Sequence, residues 1–77
     1  MNNTRRKAIA KILEQLEVLK EEFEQLKGEE QEAFDNMPEG IQCSERGEHM
    51  EQIIWNMEEV FDNLDSTVDG MSSLEDD

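Results

Sequence analysis

Residues 9–26 read IAKILEQLEVLKEEFEQL, and their large apolar side chains recur at alternating spacings of three and four. This seven-residue repeat is typical of an amphipathic helix that packs against another helix, as in a coiled coil. The repeat keeps its phase beyond Gly28, which favours one continuous helix. Pro38 disfavours helix in the residue before it, so we predict helix 1 over residues 4–36, with Thr4 or Asn3 as its N-cap. The predicted seam comprises Ile9, Ile12, Leu16, Leu19, Phe23, Leu26, Ala33 and Met37, with Leu13 and Phe34 at its edge.

A second helix is predicted over residues 45–69, after a loop at 37–44. Ser44 is a suitable N-cap, and acidic residues follow it in the first turn, where the helix dipole favours them. Gly70 is the predicted end of this helix, and residues 71–77 are predicted to form an acidic flexible tail. The seam of the second helix comprises Met50, Ile53, Met57, Val60 and Leu64, with Ile54, Phe61 and Val68 beside it.

Two long helices joined by a short loop predict an all-α fold, an antiparallel two-helix hairpin over residues 1–70. Each apolar stripe spans about three positions in seven, which is wider than one neighbouring helix covers. We therefore expect self-association, most simply as a dimer that forms a four-helix bundle. The candidate self-association residues are Leu16, Leu19, Phe23, Met50, Ile54, Met57, Phe61 and Leu64.

The chain has 77 residues, enough for one small domain that is marginally stable alone. Its single cysteine, Cys43, cannot form an internal disulfide, which fits a reducing cytoplasm. The charged start lacks the apolar stretch of a signal peptide, and no apolar run is long enough to span a membrane. We expect a cytoplasmic protein.

The formal net charge is −14 and is unevenly distributed. Residues 1–28 carry six basic against five acidic residues, whereas residues 29–77 carry one basic residue, Arg46, against sixteen acidic ones. Such a field repels nucleic acid and anionic membranes. It favours a protein partner with a basic surface, and we expect no direct contact with nucleic acid or a membrane.

The sequence shows no arrangement of nucleophile, base and phosphate loop that predicts catalysis. Cys43 and His49 are too few for a zinc site in one chain. Glu59 and Asp62 match part of the carboxylate pattern of all-helical nucleotide pyrophosphohydrolases, but their phase turns them toward solvent. We expect no enzyme, metal or cofactor, and keep as an alternative a small-ligand trap or metal-dependent nucleotide enzyme formed between subunits.

The outward side of helix 2 carries carboxylates at roughly helical spacing, interrupted by Trp55. An exposed tryptophan is a candidate anchor, because tryptophan is over-represented among binding hot spots. The row repeats at about the spacing of phosphates along one nucleic-acid strand, so a DNA-mimic inhibitor is an alternative to a plain protein-binding surface. The candidate partner-binding residues are Trp55, Glu48, Glu51, Glu58, Glu59, Asp62, Asp65 and Arg46.

The segment EEQEAFDNMPEGIQCSERG at residues 29–47, with a basic start before it and an acidic helix after it, resembles a group of small proteins. These are uncharacterised helical proteins of bacteriophages, prophages and their hosts. The resemblance covers most of the chain and implies a phage context, with a role in host takeover or counter-defence. If the chain is encoded by a phage, the expected location is the cytoplasm of the bacterial host. The resemblance transfers no functional residue.

Overall fold

The structure, a computed structural model, describes residues 2–75. It contains three helices: α1 spans Asn3–Asp35, α2 spans Glu39–Gln42 and α3 spans Glu45–Glu75. Residues 2–75 contain no strand, so the prediction of an all-α protein is confirmed. The predicted loop at 37–44 contains the single turn α2.

The start of α1 is capped one residue earlier than expected. The side-chain oxygen of Asn2 accepts a hydrogen bond of 2.9 Å from the backbone N–H of Arg5. This cap satisfies one of the backbone donors that a helix start leaves unpaired. The helix then passes through Gly28 without a break, in agreement with the continuous phase of the apolar residues.

The connection between α1 and α3 is held by short-range hydrogen bonds. The side-chain amide of Gln42 donates to the backbone carbonyl of Phe34 at 2.8 Å, which joins α2 to the end of α1. As predicted, Ser44 caps α3, because its hydroxyl oxygen accepts from the backbone N–H of Gly47 at 3.4 Å. The chain therefore reverses direction in a defined conformation.

Gly47 lies where α3 passes close to the connection. A Cβ atom added there would lie 2.1 Å from the carbonyl oxygen of Gln42, far inside van der Waals contact. A side chain at position 47 therefore requires α2 and the start of α3 to separate, and only glycine fits the observed geometry.

Helices α1 and α3, which we call the helix pair, pack side by side and run in opposite directions. Lys20 of α1 contacts Asp65 of α3, and Lys27, one heptad later in α1, lies over the ring of Phe61, earlier in α3. The most buried side chains are Leu13, Ile54 and Val68. The molecule is accordingly long and thin, with Cα extents of 59 × 15 × 13 Å.

The contact between the two helices is rotated relative to the predicted seam of α1. Leu13 is buried, whereas Ile12, Leu19 and Leu26, which we predicted in the seam, are 48%, 55% and 55% exposed. Lys20 and Lys27 are half-buried in their place. The repeat contains two neighbouring sets of positions with alternating spacings of three and four residues, and either set can face the other helix. Lysines can occupy the packed set, because their long stems cover apolar surface while their charged ends reach water.

Most of the predicted self-association residues are covered within a single chain. Ile54 is only 4% exposed, so it is already covered by the packing of α1 on α3, and its part in a contact between chains stays a prediction. Leu19 alone of the set is exposed, because the rotation of α1 turns it away from α3. The remaining candidates are half-buried between the helices: Leu16, Phe23, Met50, Met57, Phe61 and Leu64.

The end of α3 also differs from the expectation. Helix continues beyond Gly70 to Glu75, and Met71 is half-buried, whereas we expected a flexible tail from residue 71. Gly70 does not adopt a positive φ and costs a helix about 1 kcal/mol relative to alanine. The burial of Met71 in phase with the earlier packed residues helps to offset that cost. The last two residues of the expected tail, 76 and 77, lie outside the described residues.

Candidate interaction surfaces

The helix pair has two chemically different sides, and one of them is apolar. On both helices an apolar residue directly precedes several packed positions: Leu26 precedes Lys27 and Val60 precedes Phe61, although the polar Thr67 precedes Val68. Two antiparallel helices are exchanged by a two-fold rotation about an axis perpendicular to the plane that contains them. This rotation does not interchange the two sides of the pair. Equal offsets from the packed positions therefore place both stripes on one surface, which we call the apolar face. Its members are Ile12, Leu19, Leu26 and Ala33 of α1, and Ile53, Val60 and Leu74 of α3.

The opposite side of the helix pair is acidic. By the same reasoning, the other side carries the positions one and four residues after one series of packed residues, namely Gly47, Ile54, Phe61 and Val68 of α3, and Leu13, Lys20, Lys27 and Phe34 of α1. In α3 these positions are occupied by carboxylates, apart from Trp55 and Ser72, and α1 contributes further glutamates. We call this surface the acidic face. Its members are Glu14, Glu17, Glu21, Glu24 and Asp35 of α1, and Glu48, Glu51, Trp55, Glu58, Asp62, Asp65 and Asp69 of α3.

Trp55 is the most prominent side chain of the acidic face. It is 64% exposed, the largest value among the exposed large apolar residues of the described chain. Shallow grooves lie on either side of it, one lined by Glu48 and Glu51 and the other by Glu58 and Asp62. A large apolar ring is thus surrounded by carboxylates that a cationic partner could pair with.

Asp65 differs from the other acids of this row. It forms an ion pair with Lys20, whose side chain is 24% exposed, against 50% for the Asp65 side chain. The hydrogen bond to Asp65 raises the pKa of Lys20 above its ordinary value, and the nearby charges of Asp65, Asp69 and Glu24 act in the same direction. Asp65 therefore helps to hold the two helices together and is less available to a partner than Glu58 or Asp62.

The remaining predicted partner-binding residues are accessible. Glu59 is exposed on the edge of α3 directed away from α1, between the two faces, and Arg46 is exposed in the first turn of α3. Cys43 and His49 are exposed near the connection. Across residues 2–75, no three side chains of the types that bind metals come together as a possible site. None of the helices in this part of the chain has the length and apolar character required to cross a bilayer.

Sequence reasoning found the acidic row and Trp55 but not the division between the two faces. The signal was the distribution of charge along α3. Every acidic residue between His49 and Leu74 avoids the apolar stripe and the neighbouring stripe of Asn56, Asn63 and Gly70. The sequence does not show which edge of the apolar stripe of α3 packs on α1, so this asymmetry could not be assigned to a surface from the sequence.

No protein-family model, curated protein or solved structure matches this chain.

Proposed function

We propose that this chain is a non-enzymatic protein-binding module that engages a basic surface of another protein through its acidic face. The observation that carries the proposal is the 64% exposure of Trp55 within a ring of carboxylates. Tryptophan supplies contact area, while the surrounding acids favour a cationic partner and accelerate its association. The resemblance to phage proteins makes a bacterial host protein the expected partner, and inhibition the expected consequence.

The module is also proposed to self-associate. The helix pair is a two-helix hairpin that buries one edge of each apolar stripe, and exposed Ile12, Leu19 and Leu26 support completion of a four-helix bundle by a second chain.

Capture of host proteins by tagged wild-type chain tests the partner-binding function. The decisive comparison is between Glu58→Lys/Asp62→Lys, beside Trp55, and Glu22→Lys/Glu29→Lys, which makes the same charge change off the acidic face. We expect a discrete partner with wild type and with the control pair, and its loss with the first pair. Equal capture by both double variants contradicts binding through the acidic face.

A DNA-mimic inhibitor is the second candidate, because Glu48, Glu51, Glu58 and Asp62 are all exposed along one side of α3. In this reading the partner is a nucleic-acid-binding protein, and the acidic row occupies its basic groove. Competition with DNA and a steep loss of affinity as salt rises are expected, since binding then depends on many exposed charges. Binding that survives high salt and that DNA does not displace favours the anchor at Trp55 over mimicry.

A further inference from the structure

The apolar face remains exposed after the two helices have packed. Leu19 and Leu26 are each 55% exposed and Val60 is 46% exposed, although apolar burial is the main source of stability available to so small a chain. Apolar side chains recur every seven residues from Ile12 to Ala33 on α1, and on α3 Ile53, Val60 and Leu74 follow the same period with Thr67 between the last two, which is the arrangement of a bundle layer and not of isolated surface residues.

We propose that the apolar face is the docking surface for a second copy of this chain, packed face to face with the connecting loops at opposite ends. The inference rests on the self-association proposed above and adds to it the surface and the orientation. Charge, area and symmetry each favour a second copy of the chain as the partner that covers the apolar face.

The apolar face differs in charge from the acidic face, which is the surface proposed for a basic partner. The stripe beside the apolar face on α3 carries Asn56, Asn63 and Gly70, with no acid between His49 and Leu74 on that side. A protein of net charge −14 repels its own copies, and face-to-face packing places both acidic faces outward, as far apart as the bundle permits. The equivalent stripe of α1 carries Glu22 and Glu29, so this side is not free of charge, but it is less acidic than the acidic face and is thus the one through which two such chains can approach.

The available area is sufficient for a specific dimer. Helices of 33 and 31 residues extend about 50 Å, and the helix pair is 15 Å across its wider side. Full overlap therefore gives each copy a projected contact of about 750 Å², which is of the same order as the surface that one partner of a specific complex buries. The surface is self-complementary, as a two-fold symmetric contact requires.

The distribution of charge along the hairpin selects the orientation. The loop end is acidic through Asp35, Glu39 and Glu45, whereas at the other end the basic residues Arg5, Arg6 and Lys7 of α1 offset the acidic end of α3. Loops at the same end would bring two acidic ends together. Loops at opposite ends place the basic start of each α1 beside the acidic loop end of the other copy, and all neighbouring helices remain antiparallel.

Sedimentation equilibrium with two valine variants tests the surface. Val60 and Val18 have similar exposures, 46% and 52%, but only Val60 belongs to the apolar face. We expect a dimer for wild type and for Val18→Glu, and at least about tenfold weaker association for Val60→Glu, because a glutamate from each copy must then be desolvated. A monomeric wild type at 100 µM or above (roughly −5.5 kcal/mol of association at most), or equal association of the two variants, overturns the proposal.

Thiol cross-linking of the folded dimer tests the orientation and does not depend on whether Val60→Glu folds. Cys43 is exposed at the loop, so a short bifunctional maleimide links two wild-type chains only if the loops share an end. Asn3→Cys introduces a thiol at the start of α1, which lies beside the partner's Cys43 in the proposed orientation. We expect a linked dimer for Asn3→Cys and none for wild type or for Asn3→Cys/Cys43→Ser. A linked wild-type dimer overturns the orientation. Failure of either test leaves capture through the acidic face unaffected, so the two proposals fail separately.

Discussion

The ammonium group of Lys20 contacts the carboxylate of Asp65 across the packing surface of α1 and α3. The ammonium nitrogen of the same lysine lies 5.5 Å from the ring centroid of Phe61, and that of Lys27 lies 4.8 Å from it. Two lysines that look like solvent-facing residues in the sequence therefore pair the two helices in one register.

The Lys20–Asp65 pair predicts a dependence of stability on pH at the alkaline end. Because the pKa of Lys20 is raised in the folded chain, its contribution is complete below the ordinary value of 10.5 and is lost as pH rises through the raised value. Asp65→Asn should destabilise the chain at neutral pH and lose that difference when Lys20 deprotonates. Urea unfolding of both proteins at pH 7 and pH 11, at one protein concentration, measures this. An unchanged difference at pH 11 would contradict the ion pair.

Substitution of two glycines by alanine should have opposite effects. At Gly47 the added Cβ would meet backbone of Gln42 at 2.1 Å, so we expect destabilisation by about 2–3 kcal/mol. At Gly28 the added Cβ meets nothing within 4 Å, so we expect stabilisation by up to about 1 kcal/mol. Chemical denaturation of both variants decides the matter, and a tolerated Gly47→Ala would argue against the close approach of α2 and α3.

Two leucines of α1 should respond differently to truncation. Leu13 is 6% exposed and Leu26 is 55% exposed. Leu13→Ala should cost about 2–4 kcal/mol at any protein concentration, because it leaves a cavity between α1 and α3. Leu26→Ala should matter little in dilute solution and more as concentration rises, because it weakens the dimer contact. Thermal unfolding over a hundredfold concentration range measures both effects. A Leu26→Ala effect independent of concentration would place Leu26 outside the dimer interface.

Trp55 should report on partner binding and not on self-association. It is 64% exposed on the acidic face, so its fluorescence should resemble that of tryptophan in water in both monomer and dimer. Trp55→Ala should leave thermal stability nearly unchanged, within about 0.5 kcal/mol, as surface substitutions do, while abolishing capture of the partner. If the emission shifts to the blue when the chain self-associates, and dilution reverses the shift, Trp55 contacts the second copy instead.

The sequence by itself determined the helices and most of their ends. Pro38 ended α1, Ser44 began α3, and the unbroken phase across Gly28 kept α1 whole, because these are local effects of backbone sterics and hydrogen bonding. Local signals were least reliable at Gly70, where helix propensity alone predicted the end of α3. The helix instead continues past Gly70, and Met71 is half-buried in that continuation.

Only the tertiary structure decided which edge of each broad apolar stripe packs inside the chain. A stripe of three positions in seven contains two equivalent seams, and apolar burial alone barely distinguishes Ile12 from Leu13. The choice came with long-range contacts such as the pairing of Lys20 with Asp65, which joins residues far apart in the chain. That rotation leaves Leu19, Leu26 and Val60 uncovered and places Trp55 on the opposite side, so both candidate surfaces depend on it.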